Sequence, residues 1–316
     1  MELIVAESEE RLSMKSFLTL RLAGLSQMYL RGRVYQGFCS VDGVVVENWG
    51  RKLRAGQVVQ IDVDLEAATA RRPEEIPLEI LFEDEGMLVM NKAAGMLVHP
   101  TMHVKTGTIA NALAWYLKGG RFWFPHRLDR ETSGVLVVAK TEAALGLITK
   151  AWTAGRVKKE YVALVEGFVA LDEMWIDAPI GRDATAKPAW GVRVEGKQAS
   201  SRLWVRERFE KHTLVGLEPV TGRTNQLRIH CAHIGHPIVG DTLYGSGEAV
   251  RLYLHARRLE SRAGGANDAG GVGTGLAEGG DVAHLAAGAG FVLAVEVEPD
   301  FGELQQGGPV GSGWLP

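Results

Sequence analysis

The sharpest pattern along this chain is the run Val135-Leu136-Val137-Val138-Ala139, apolar throughout, with Gly134 before it and Lys140 after it. A short run without alternation predicts a central strand buried on both faces. Other segments alternate. Val41 to Val46 predicts strand, tight turn, strand, because Asp42-Gly43 supplies the positive backbone torsions of a hairpin. Leu53 to Val63 predicts a turn followed by an alternating strand, and Glu79–Phe82 with Met87–Lys92 predicts a hairpin around the polar turn Glu83 to Gly86. Helical spacing appears between Arg11 and Leu30 and again from Thr108 to Leu117. Thr141 is placed to cap a helix whose Ala144, Leu145, Ile148 and Trp152 face inward. Lys159 to Gly167 predicts another strand, and Thr224 is placed to cap a helix starting at Asn225.

Two stretches break the pattern. Residues 67–77 form a polar joint in which Pro73 favours extended backbone. Between Ser261 and Gly290, Gly and Ala fill 18 of 30 positions. So little apolar surface cannot offset the entropy of ordering, so 261–290 is expected to be a flexible insertion. The expected organisation is a small domain over 1–66, a linker over 67–77, a larger domain over 78–305 and a tail over 306–316.

With 316 residues the chain is long enough for two domains. The net charge of -3 does not announce a nucleic-acid binder, but charge is unevenly spread. Arg21 to Val58 holds six basic against two acidic residues, and Lys118 to Glu160 holds nine against four. Cys39 and Cys231 are the two cysteines, which excludes a disulfide framework and fits a reducing cytosol. The acidic N-terminus lacks the order of a signal peptide, and no apolar run approaches the ~20 residues of a membrane span. A cytoplasmic protein without membrane partners is expected.

The chemistry concentrates just before the apolar strand, in His126-Arg127-Leu128-Asp129-Arg130-Glu131-Thr132-Ser133-Gly134. An isolated loop Asp usually does no more than cap a turn. Here Asp129 lies between Arg127 and Arg130 on a loop fixed by a rigid strand, and nearby cations keep such a carboxylate ionised. That makes it a candidate nucleophile or base. The whole string resembles the signature of the RluA-type pseudouridine synthases, enzymes that isomerise uridine in RNA. Lys159-Glu160-Tyr161-Val162-Ala163-Leu164-Val165 resembles that family's second motif, and Thr221 to His230 its third. Residues 232–245 resemble a structural motif of the same family, and the blocks occur in the family's order from about Leu78 to Glu260.

The resemblance implies an α+β fold: a large mixed, mainly antiparallel sheet with flanking helices and a central RNA cleft. It also implies a small N-terminal α/β RNA-binding-like domain. Asp129, Tyr161 and Arg228 are implied as the catalytic residues: Asp129 as the reacting group, Tyr161 as the platform that stacks the base and helps move a proton, and Arg228 as a buried guanidinium paired with Asp129. His126, Arg127, Thr132, Arg223 and Lys92 are implied at the substrate, with Arg127 filling the space left by the extruded uridine. The family usually has His where this chain has Asn225. No cofactor or metal is implied. His230, Cys231, His233 and His236 have partly helical spacing, but no acidic ligand is nearby. The expected partner is RNA, with large-subunit ribosomal RNA ahead of transfer RNA, and the chain is expected to act as a monomer. The rival readings are a catalytically silent RNA-binding protein of the same fold and an unrelated Asp-dependent hydrolase.

Overall fold

The computed structural model describes residues 1–22, 25, 27–64, 72–101, 104–261, 282–285 and 292–301. Its contacts divide into two compact units, Met1–Ile76 with His99–Gly119, and Pro77–Val98 with Gly120–Pro316. Residues 99–119, expected within the larger domain, thus group with the N-terminal unit.

In the N-terminal unit β1 (Glu2–Ile4), β2 (Cys39–Val41), β3 (Val44–Val45) and β4 (Val58–Ile61) form a sheet in the order β1-β4-β2-β3. Helices α1 (Met14–Arg21) and α2 (Gln27–Tyr35) share its core, where Phe17, Leu18, Leu30, Val34 and Val59 are buried. Ser13 caps α1 by accepting from the Ser16 N–H. At the β2–β3 turn Asp42 and Gly43 have positive φ, 51° and 79°, as the Asp-Gly pair foretold. The Asp42 carboxylate also accepts from the Val58 N–H and so ties the turn to β4. A third helix of this unit, α3 (Ile109–Tyr116), starts at a Thr108 cap.

The second unit is built on one large sheet of ten strands. Along its main path lie β5 (Glu79–Glu83), β6 (Met87–Lys92), β7 (Ser133–Ala139), β14 (Leu254–Ser261), β8 (Val157–Glu166), β13 (His212–Pro219), β12 (Ser200–Arg208) and β9 (Glu173–Asp177), in that order. Strand β16 (Val292–Glu296) pairs with the far half of β14, and β15 (Val282–Leu285) pairs with β16. A separate two-stranded arm consists of β10 (Ile180–Arg182) and β11 (Trp190–Val192). The pairing is antiparallel except between β7 and β14. This is a mixed α+β architecture with a mainly antiparallel sheet. Of the segment 261–290, expected to be a flexible insertion, Ser261 closes β14 and Val282–Leu285 form β15, while residues 262–281 and 286–290 lie outside the described residues.

Two helices cover one face of this sheet at different places. In β8 alternate residues share a face, so Val157, Lys159, Tyr161, Ala163 and Val165 point the same way. Val157 packs in the cluster of Ile148 and Trp152 from α4 (Glu142–Thr153). Ala163 and Val165 pack with Leu227 and Cys231 from α5 (Gln226–His233). Lys159 and Tyr161 therefore lie between the two helices. The register of β14 against β8 shifts between Ala256 and Arg258. That irregularity lets Leu254 face the α5 cluster and Leu259 face the α4 cluster despite their odd separation.

The start of α5 differs from the expectation. Asn225, not Thr224, is the cap residue; it is left-handed at φ 53°, with no side-chain capping bond. Asn tolerates that conformation better than most residues. The Gln226 side chain organises the preceding turn instead, accepting from the Thr221 hydroxyl and the Arg223 N–H.

Gly134 sits where β7 first meets β14, with φ 113°. A Cβ there would fall 2.3 Å from the Ala256 carbonyl oxygen, so only glycine permits the approach. Gly134→Ala is expected to destabilise the protein by roughly 3 kcal/mol or more in denaturant unfolding. By contrast, Gly32 in α2 has open space around its would-be Cβ, and Gly32→Ala is expected to stabilise by roughly 0.5–1 kcal/mol. A Gly134→Ala variant as stable as the parent would refute the close-approach account.

Candidate active site

The loop carrying Asp129 is held from three sides. The Thr132 N–H closes a turn onto the Asp129 carbonyl at 3.2 Å. Arg130 is bound through its backbone and its side chain: its carbonyl accepts from Gly95 N–H at 2.9 Å, and its Nε donates to the Gly95 carbonyl at 2.9 Å. Lys92 supplies the third hold. Its Nζ donates to the carbonyls of Ala93 (2.7 Å), Met96 (2.8 Å) and Arg130 (3.0 Å). With 0% exposure Lys92 is a buried staple between two loops and not a residue facing substrate, which corrects the expectation for it. Burial lowers its pKa to about 8.

Beyond this loop a cavity of about 360 Å³ opens between α4 and α5. Asp129, Tyr161, Arg228, His126, Arg127, Thr132 and Arg223 all line it, so the structure brings together every expected site residue except Lys92. Asp129 is half-buried, and among the described residues its carboxylate accepts no hydrogen bond. Arg127 is exposed beside it. Thr132 is buried at the cavity wall, and Arg223 is anchored at the rim by donating from Nε to the Gln198 carbonyl.

His126 has a backbone task. Its Nε2 accepts from the Val137 N–H at 2.9 Å, so the neutral ring carries its proton on Nδ1. The ring stacks on Trp152, 4.8 Å between centroids and 23° between planes. Burial, helped by the nearby Lys159 cation, pushes its pKa down to about 3, so it is neutral at ordinary pH. Tyr161 is moved the other way: burial and the Asp129 charge raise its pKa, which keeps the phenol protonated.

Arg228 forks onto a carboxylate, but that carboxylate is Asp241. Nε donates to Oδ2 at 2.8 Å and Nη2 to Oδ1 at 2.6 Å, with Arg228 7% and Asp241 0% exposed. Asp241 Oδ1 also accepts from the N–H groups of Leu243 and Tyr244. The implied Arg228–Asp129 pair is therefore corrected: burial works against the Arg228 charge, the bonds and charge of Asp241 outweigh it and raise the pKa, and Asp129 adds a smaller attraction through space. The Tyr244 ring lies 5.3 Å from the guanidinium, and its hydroxyl accepts from Asn225 Nδ2 at 3.2 Å. Asp241, Tyr244, Trp152 and Lys159 were not singled out from sequence as site residues. Asp241 lies within the string 232–245, already recognised as a structural block, which was the available signal.

The histidine cluster has other work. His230 bonds Ser201 Oγ and the Ala178 carbonyl, and His236 bonds the Glu166 carbonyl. Among the described residues no three or more His, Cys, Asp or Glu side chains are arranged to hold a metal ion.

Residues 86–233 match the family model described as RNA pseudouridylate synthase. The chain is 39% identical over 254 residues to an uncharacterized RNA pseudouridine synthase of Aquifex aeolicus (strain VF5), covering 78% of this chain and 80% of that protein. It is 37% identical over 232 residues to ribosomal large subunit pseudouridine synthase D of Yersinia pestis, covering 71% of each. Among solved structures, human RNA pseudouridylate synthase domain containing 1 superposes with a TM-score of 0.53 at 32% identity, over 60% of this chain and 80% of that one. The chain belongs to the RNA pseudouridylate synthase family. Its reaction is the isomerisation of uridine in RNA to pseudouridine.

A buried histidine beneath the loop gives the site a pH limit. His255 Nε2 donates to the Val297 carbonyl, so Nδ1 accepts from the Ser133 hydroxyl, which in turn accepts from Arg251. Burial depresses the His255 pKa from 6.5 to about 4. Between those values the unfolded chain binds more protons than the native one, so stability is full above about pH 6.5 and falls as pH drops towards 4. Thermal melts across that window are expected to show this loss, and His255→Gln to make the slope shallower by roughly one proton. An unchanged slope would mean that His255 titrates normally.

Proposed function

We propose that this protein isomerises a specific uridine of large-subunit ribosomal RNA, with Asp129 as the reacting group. The observation carrying the proposal is the half-buried carboxylate of Asp129, free of hydrogen bonds among the described residues, in one cavity with Tyr161 and the Arg228 guanidinium. Work on a base needs it out of its stack. Arg127, exposed next to Asp129, is suited to take the vacated space. Tyr161 offers its ring to the extruded uracil, a contact worth about 1–3 kcal/mol. Its raised pKa suits a phenol that donates or packs and does not accept a proton at neutral pH. Asp129 either attacks or promotes departure of uracil from the ribose. Uracil then turns, its carbon five joins the ribose, and the proton on carbon five is lost. Arg228, held by Asp241, presents its guanidinium to Asp129 through space.

The ribosomal target is supported by relatives named for the large subunit. The catalytic domain is assigned to 78–305 without residues 99–119, which group with the N-terminal unit; 1–66 is assigned as the RNA-binding module and the large cavity as the RNA cleft. The protein works as a monomer in the cytoplasm. Among the described residues no helix is long and apolar enough to cross a membrane.

The decisive assay is tritium release from RNA labelled at carbon five of uridine, run with ribosomal RNA and with bulk transfer RNA. Wild type is expected to release tritium from large-subunit RNA. Asp129→Asn is expected to fall below about one part in ten thousand of that rate with an unchanged melting temperature. Retained activity in Asp129→Asn would remove Asp129 from the chemistry. Release from transfer RNA alone would reassign the substrate, and binding of RNA without release from either would leave a silent binder.

A further inference from the structure

The cleft holds one half-buried cation that the mechanism above does not use. Lys159 points from β8 towards the same face as Tyr161 and lines the cavity near His126 and Trp152. The other buried or half-buried cations around it are satisfied. Arg228 forks onto Asp241, Lys92 is held by three carbonyls, and Arg257 bonds Glu160 and Glu298. Among the described residues Lys159 has no hydrogen-bond or ion-pair partner. Burial accordingly lowers its pKa, with no carboxylate opposing the shift. Lys159 also lines a small recess with His126, Leu128 and Leu259, and it pairs with Leu259 of β14, which belongs to the α4 cluster, so it lies towards α4.

A partly desolvated ammonium without a counter-charge is costly, and an incoming anion offsets that cost. RNA brings one anion per nucleotide. The reacting carbon has to meet Asp129, so the anion reaching Lys159 belongs to a linkage beside the target nucleotide. We infer that Lys159 is a phosphate-binding residue that receives the RNA backbone next to the extruded uridine and so sets the depth at which that nucleotide seats. This inference rests on the uridine-isomerase reading of the cleft.

The test uses full-length protein and a synthetic stem-loop of large-subunit RNA containing the reactive uridine. Affinity is measured between 50 and 200 mM salt, and tritium release is followed in parallel. Lys159→Gln is expected to weaken binding about tenfold, raise KM more than it lowers kcat, and reduce the salt slope by about one. Lys159→Arg is expected to restore most of the affinity and the slope. Methylphosphonate at one linkage flanking the uridine is expected to cost wild type about tenfold and Lys159→Gln almost nothing. The methylphosphonate scan of wild type does not depend on how the variants fold, and a scan with no sensitive linkage overturns the proposal. A Lys159→Gln variant with unchanged affinity and slope overturns it too, and one that loses only kcat assigns Lys159 to the uracil ring instead. Absence of tritium release by wild type would refute the underlying isomerase reading, a result distinct from these.

Discussion

The contact between β7 and β14 at Gly134 fixes the geometry on which the cleft depends. Pairing of Ser133 with His255 and Gly134 with Ala256 brings two parallel backbones together where any side chain would collide. Parallel strands in a sheet that is otherwise antiparallel need such a special junction. This one also determines where the preceding loop leaves the sheet, and that loop carries Asp129. Directly beside the junction, the half-buried Arg251 and the buried Ser133 and His255 form a chain ending on the Val297 carbonyl. On the outer side, Lys92 and Gly95 hold the Arg130 backbone. A carboxylate fixed by its neighbours' backbone, and not by bonds to its own oxygens, is positioned and still free to react.

The buried Arg228–Asp241 pair supplies charge on different terms. Breaking such a pair costs about 3–5 kcal/mol, because the surviving charge stays desolvated. Asp241 answers it with two guanidinium bonds and two backbone N–H bonds, close to its full acceptor capacity. Were Arg228 bonded to Asp129 instead, that carboxylate would be tied by its strongest possible partner. Placing the fork on Asp241 leaves a fixed positive potential beside Asp129 without occupying its lone pairs. The pair's own satisfaction keeps the guanidinium from turning onto the Asp129 carboxylate.

Much of this architecture was legible in the sequence, for reasons that are local. The unbroken apolar run became β7, the Asp42-Gly43 turn became a hairpin, and Thr141 capped α4 through the Ala144 N–H. Those features follow from side-chain period and turn chemistry within a few residues. The misses concern partners far apart in the chain. Lys92 looks like a substrate cation until its ammonium is found among carbonyls up to 38 residues away. The partner of Arg228 was expected about a hundred positions upstream and lies 13 downstream. Nothing in the local pattern ranks two distant carboxylates. The strand 282–285 escaped because its glycine-rich surroundings dominate the composition, while its pairing with β16 is a long-range event.

The cleft is also divided by charge and ring. Towards α5 lie Arg228, Tyr244 and Asn225, joined through Asp241 and the Tyr244 hydroxyl. Towards α4 lie Trp152, the neutral His126 and Lys159. Asp129 and Tyr161 stand at the boundary. One strand creates this division, because β8 passes from beneath α4 to beneath α5 and exposes two successive same-face residues in the gap. The irregularity in β14 near Arg257 allows that passage, since it keeps apolar residues under both helices across an odd register. Without it, either Leu254 or Leu259 would turn away from its cluster, and the helix losing that support would settle towards the gap. The gap is therefore a consequence of how two separate cores are spliced along one pair of strands, and the chemistry of the site occupies the splice.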